Sequence, residues 1–179
     1  MLNTLRASLG FILLSVVMGT AATRAENFVT EDNAATFYRD FARLTKAPHF
    51  VAPLTAVKCT TLDDPALTER EQQMTGPHYM ARVHLYANPV ALRTVKRWPV
   101  PFAIGAIIVK EKLAIDGTVT GVGGMIKRAP GYDPLNGDWE YFYYGGPKGF
   151  KSGRLPSCIE CHRAARNTDF VYGVWGPRR

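Results

Sequence analysis

The residues with the most specific chemistry are Cys158-Ile159-Glu160-Cys161-His162. Two cysteines three positions apart, with a histidine directly after the second, form the attachment pattern of c-type haem. Each thiol can add across one vinyl group of the porphyrin to give a thioether. Two intervening residues let both sulfurs reach vinyls on one edge of the macrocycle. The next residue then lies under the iron, where an imidazole binds axially. The spacing therefore predicts one covalent haem c, tethered by Cys158 and Cys161, with His162 as the metal ligand. A zinc site would need four ligands, usually with a second close pair. The remaining Cys and His residues considered (Cys59, His49, His78 and His84) all lie far upstream, and none shares that spacing. A thioredoxin-like redox pair belongs early in a chain beside a βαβ pattern, whereas this pair is close to the C-terminus. Cys59 is then an odd third cysteine, read as a buried thiol packed as a small hydrophobe rather than as a cross-link between chains.

The opposite axial position decides what such a haem does. A strong sixth ligand makes an electron carrier, and an open position admits small molecules. Met125, Met80 and Met74 are the thioether candidates, with Met125 best placed in a glycine-rich strand; the ordinary role of each is core packing. His84 and His78 are imidazole alternatives. Phe142, Tyr141 and Tyr143 are candidate walls of a distal pocket, and equally candidate sheet packing. Arg82 is a candidate partner for a propionate or a distal ligand, against the usual solvated arginine of a strand.

These residues need elements to carry them, and the leader bears on where the chain matures. Residues 1–25 read as a signal peptide, with Arg6 as the basic region, a short apolar core over 9–18 and Thr23-Arg24-Ala25 as the cleavage site. That core is too short to span a bilayer as a helix. Export suits thioether ligation, which is completed outside the cytoplasm, so a periplasmic location is expected. The rest, 26–179, has the length of a single domain. The net charge of +7 includes Arg6 and Arg24 of the leader. What remains is modestly basic, which favours an acidic redox partner or anionic small molecules. No arginine-rich run or nucleic-acid motif accompanies it.

Periodicity gives an alternation of helices and strands. A helix is expected from Thr30 or Asp32 to about Lys46, with Phe37, Phe41 and Leu44 on one face as core or dimer contact. His78 to Ala87 alternates as a half-buried strand. Asn88-Pro89 is a helix start, with Asn88 as N-cap and Pro89 in the first turn. Ala106 to Leu113 and Val119 to Arg128 read as a hairpin about Asp116-Gly117. Gly121, Gly123 and Gly124 mark a bulge or the close approach of a ligand. Trp139 to Tyr144 is an aromatic strand, Gly145 to Gly153 a loop, Leu155 to about Asn167 the helix carrying the cysteines, and Asp169 to Trp175 a last strand. The fold class is α+β, mainly antiparallel sheet with a few helices and a C-terminal helix bearing the haem motif. Small electron-transfer cytochromes c are all-helical with an N-terminal motif, so that reading is set aside.

With the order of elements in place, the chain resembles the cytochrome P-460 family and its relatives, the cytochromes c′-beta. Ile107-Ile108-Val109-Lys110-Glu111 is similar to the family's apolar run ending in Val-Lys-Glu. Asp138-Trp139-Glu140-Tyr141-Phe142 is similar to its aromatic strand, and Cys158 to His162 followed by Asp169-Phe170-Val171-Tyr172 to its haem motif and ending. The resemblance covers about Met80 to Trp175. It implies a homodimer, a haem contact for Lys110 and chemistry on nitrogen oxides. In cytochrome P-460 proper the matching lysine is bonded to the haem; here a propionate salt bridge, a distal hydrogen bond and a covalent cross-link all remain open, with an unlinked contact slightly favoured. The family's hydroxylamine-oxidising enzymes use a distal carboxylate, and this sequence has no acid at the matching Gly123 to Met125. Hydroxylamine oxidation needs a base within reach. The leading expectation is thus a cytochrome that binds NO or another small diatomic at an open distal face. A hydroxylamine- or NO-oxidising enzyme with Lys110 cross-linked, and an electron carrier with a Met sixth ligand, are the alternatives.

Overall fold

The computed structural model describes residues 28–50, 82–145 and 149–173. Residues 1–25, expected to be a leader, and Cys59, Met74, His78 and Met80 lie outside the described residues. Among these residues seven strands form one sheet: β1 (Ala42–Arg43), β2 (His49–Phe50), β3 (Arg82–Ala87), β4 (Ile107–Leu113), β5 (Val119–Lys127), β6 (Trp139–Tyr144) and β7 (Phe150–Gly153). The order across it is β1-β3-β4-β5-β6-β7, with β2 also on β3, and every pairing is antiparallel. Among the described residues two α-helices pack on one of its faces, α1 (Pro89–Val95) and α2 (Pro156–His162). The expected class, α+β with a mainly antiparallel sheet, is the observed one. No helix of the described residues is long and apolar enough to cross a membrane.

The local signals that held are those with a complete mechanism. The Asn88 side chain accepts the Ala91 N–H at 2.8 Å, Pro89 opens α1, and the same Asn88 oxygen accepts Ile107 N–H at 3.0 Å. One cap thus joins the helix to the start of β4. At the β4–β5 turn Gly117 adopts φ +88°, and Asp116 Oδ1 accepts Thr118 N–H at 2.9 Å.

Three expectations are corrected. Residues 31–40 form successive turns with mixed i−3 and i−4 backbone bonds, and at 42–43 the chain leaves them to pair with β3 as β1. The apolar stripe there still packs: Phe37 and Phe41 lie against the core with Tyr38. The expected loop 145–153 ends in β7, an edge strand on β6 that its Lys- and Gly-rich sequence does not advertise. The helix carrying the cysteines stops at His162 and tightens to a 3-10 turn over Arg163–Thr168; no strand follows at 169–173.

Alternation gives the sheet two different faces. One buries Ile107, Val109, Val122, Ile126 and Phe142 beneath Val29, Ala34 and Tyr38. The other buries Ala87, Ile108, Met125, Trp139 and Tyr141 beneath α1 and α2. Gly124 shows how closely the first is packed: a Cβ there would lie 2.4 Å from the Ile108 carbonyl oxygen and 2.5 Å from the Phe142 ring.

Candidate haem-binding site

Helix α2 begins with Pro156, whose fixed φ suits a first turn, and Cys158 and Ile159 N–H groups bond the Leu155 carbonyl at 3.1 and 3.0 Å. Residues three and four apart share a helix face, so Cys158, Cys161 and His162 lie together. Leu155, Cys158 and Ile159 pack on the core cluster of Met125 and Tyr141, which brings the motif onto the second face of the sheet. Both cysteines are free thiols. Burial pushes the Cys158 thiol up, opposed by the Ser157 hydrogen bond and the Lys110 charge. Among the described residues no three His, Cys, Asp or Glu side chains gather as a metal cluster.

His162 is buried, and its ring lies between Tyr141, centroids 5.1 Å apart, and Tyr172, at 5.4 Å. Its Nδ1 is 2.6 Å from the Phe170 carbonyl oxygen. A carbonyl only accepts, so the proton of the neutral ring sits on Nδ1 and the Nε2 lone pair is left available. Burial, and next the Lys110 charge, lower the pKa to about 4 against the opposing pull of the Phe170 bond. The imidazole is therefore neutral at pH 7, the form that binds a metal. The Tyr172 hydroxyl donates to the Cys161 carbonyl at 2.7 Å, tying the chain after the motif back onto α2.

Register places Lys110. Leu85, Lys110, Gly123, Tyr143 and Lys151 are successive partners across β3 to β7 and share one face, the face of the neighbouring row Ala87, Ile108, Met125, Tyr141 and Gly153. Lys110 thus points to the side on which α2 lies. Burial lowers its pKa below the usual lysine value, and it is close enough to Cys161 and Cys158 for their charges to act against that shift. The structure brings Cys158, Cys161, His162 and Lys110 together.

The other site residues divide between the faces. Met125 is buried in the core under α2, beside Ile108 and Tyr141. Phe142 and Arg82 fall on the opposite face: Phe142 packs edge-on against Phe37 at 5.7 Å, and Arg82 Nη1 donates to the Ile115 carbonyl at 3.1 Å. Aromatic character left Phe142 open to a distal-pocket or a sheet-packing role; the alternation of β6 puts it with the N-terminal turns. His84 shares that face and meets Thr45 Oγ1 through Nδ1 at 3.0 Å.

Residues that sequence reasoning gave no site role are Phe170, Asp169, Lys127 and Tyr172. Asp169 and Phe170 both have left-handed backbone, φ +53° and +62°. An Asp before such a turn is a weak signal, since it tolerates that region better than most residues; nothing local marks which carbonyl will meet the histidine.

Do these residues fit a haem? The thiols are free and share a helix face with the imidazole, whose outward nitrogen is unprotonated. Among the described residues the Tyr141 hydroxyl is buried with no hydrogen-bond partner, whereas the Trp139 indole and the Tyr172 hydroxyl have theirs. An orphaned phenol beside the motif is what a protein shaped around an additional polar group leaves behind. The donor set fits. Comparison with curated proteins finds no match. The family model described as Cytochrome P460 matches residues 66–173, which span α1, all of β3 to β7, the motif and the turn that holds His162. The chain belongs to the cytochrome P460 family, a family of haem proteins.

Proposed function

We propose that this chain is an exported mono-haem c-type cytochrome that binds nitric oxide or a comparably small diatomic ligand on the haem face away from His162. The carrying observation is the 2.6 Å bond from His162 Nδ1–H to the Phe170 carbonyl, which leaves Nε2 as a neutral donor beside two free thiols. Attached haem supplies an iron centre that takes a diatomic ligand and changes oxidation state by one electron. The chain's own residues do the rest. Cys158 and Cys161 would tether the haem, His162 would ligate the iron, and Tyr141 and Tyr172 both pack against the His162 ring. Lys110 offers a cation to a propionate or to a bound ligand.

Two observations favour ligand binding over the alternatives. Met125, the sixth ligand of the electron-carrier reading, is committed to the core under α2. The rows that pass Lys110 and Met125 carry no carboxylate among the described residues; Glu111 and Glu140 alternate to the other face. Proton-removing oxidation of hydroxylamine lacks its base there. The second reading, an oxidase with Lys110 cross-linked to haem, is favoured by the position of Lys110 beside the thiols and by its lowered pKa, which makes a more available nucleophile. The same proposal includes a periplasmic homodimer that exchanges electrons with an acidic partner protein.

The test is the absorption spectrum of protein produced with a c-haem maturation system, oxidised and reduced, with and without NO. A high-spin ferrous spectrum that shifts with NO supports the ligand-binding reading. A low-spin spectrum indifferent to NO overturns it in favour of electron transfer. A red-shifted ferrous Soret band, with haem remaining on the peptide that contains Lys110 after proteolysis, supports the oxidase. Absence of covalent haem overturns all three.

A further inference from the structure

The turn after the motif helix is held far more firmly than a surface turn needs. Asp169 is bound at three points. Its Oδ1 accepts from Lys127 Nζ at 2.6 Å, its Oδ2 accepts Phe102 N–H at 2.7 Å, and its carbonyl accepts the Trp139 indole N–H at 2.8 Å. The Lys127 ammonium also lies over the Trp139 ring, 5.0 Å from its centroid. Both ion-pair side chains are only 13% exposed. Phe170 is seated as firmly. Its N–H bonds the Ala165 carbonyl at 2.8 Å, and its ring lies where a Cβ on Gly137 would approach to 2.6 Å. Two successive non-glycine residues with left-handed backbone are strained, and persist only where surroundings over-determine them. What this arrangement fixes is the Phe170 carbonyl, the acceptor of His162 Nδ1–H.

We infer that Asp169 is a positioning residue for the iron ligand: anchored to Lys127, Trp139 and the Phe102 N–H, it sets the Phe170 carbonyl against His162 Nδ1 and so sets the basicity of the imidazole. The inference rests on the haem reading above. A strong Nδ1–H bond to a carbonyl makes Nε2 a better donor, strengthens its bond to iron and favours the ferric state. Asp169, Lys127 and Trp139 touch no ligand-binding atom of the motif; they act through Phe170.

The experiment compares wild type, Asp169→Asn, Asp169→Ala and Lys127→Met as haem-loaded proteins, reading the ferrous iron–histidine stretching band by resonance Raman and the reduction potential. Asn keeps the tolerance for left-handed backbone and one acceptor while losing the ion pair. Ala loses all the side-chain bonds. The expected result is a graded downshift of the band, small for Asn and Met and larger for Ala. With it, the ferric–ferrous equilibrium shifts towards ferrous on the order of 10-fold for Ala, ~59 mV for one electron. A band and potential unchanged in all three variants, even with a lowered melting temperature, would reduce Asp169 to a structural residue and overturn the inference. If wild type takes up no haem, the function proposed above fails on its own. The positioning role is then read from the His162 ring-nitrogen shifts of the haem-free protein. A change from a pure Nδ1–H ring in wild type to mixed tautomers in Asp169→Ala supports it, and an unchanged ring overturns it.

Discussion

On one face of the sheet, Glu111 receives the Tyr38 hydroxyl at 2.7 Å on one oxygen and the Tyr86 hydroxyl at 3.0 Å on the other. On the opposite face, the Tyr141 hydroxyl is buried without a partner, and Lys110, one residue from Glu111, has burial and not an acid as its dominant influence. Both faces are built from the same strands, with aromatic and aliphatic residues in similar number. The first closes its hydrogen bonds internally, as a core does. Among the described residues the second leaves a buried phenol unpaired on the side that carries two free thiols. Completeness of polar pairing, more than apolar content, separates the packing face from the face that awaits a further group.

The comparison breaks most readily at the motif. Cys158→Ala with Cys161→Ala is expected to abolish covalent haem altogether, read as loss of haem stain on a denaturing gel, while the first face and its Tyr38–Glu111 contact survive. Gly124→Ala strikes the first face instead. Its new Cβ would meet backbone at 2.4 Å, so the expected cost is about 1–3 kcal/mol in urea unfolding, with the fraction of haem attached unchanged in the protein that folds.

Two tyrosine-to-phenylalanine changes sharpen the contrast, because the predicted signs are opposite. Tyr38→Phe removes a donor to a carboxylate and should cost about 1.5–3 kcal/mol. Tyr141→Phe removes an unsatisfied hydroxyl and should stabilise the haem-free protein by roughly 1 kcal/mol, a gain that shrinks or reverses once haem is attached. Equal losses from both would mean that Tyr141 has a partner after all and the faces do not differ. The smallest effect is in pH. Burial and then the Glu111 bond raise the Tyr38 and Tyr86 phenols above 10. A raised folded pKa means that the folded state holds protons the unfolded chain releases. Stability is therefore full below pH 10 and falls as pH rises beyond it. Tyr38→Phe should flatten that alkaline decline in a melting-temperature series.

Much of this was legible in the chain. The Asn88-Pro89 start and the Asp116-Gly117 turn placed α1 and the β4–β5 hairpin, and the alternation of β6 decides for Phe142 between the two roles that its aromatic character left open. What was not legible is tertiary. Phe170-Val171-Tyr172 has strand-forming side chains, but the bonds of Asp169 to Lys127, Phe102 and Trp139 bend it into a left-handed turn. Phe150 to Gly153 has poor strand composition, yet the open edge of β6 recruits it. In the first case partners distant in sequence, and in the second the neighbouring strand, outweigh local preference.

The anchoring of Asp169 has a kinetic side. Its contacts close loops of 42 residues to Lys127 and 67 to Phe102, and contacts of such separation form late because their chain entropy is lost before they are rewarded. The hairpin of β4 and β5 can assemble without them. The acceptor for His162 exists only after β5 and β6 are paired and the chain has returned across them. Under the function proposed above, the imidazole is expected to turn freely while the thiols are being joined, and to acquire its fixed orientation only when the Asp169 contacts close late in folding.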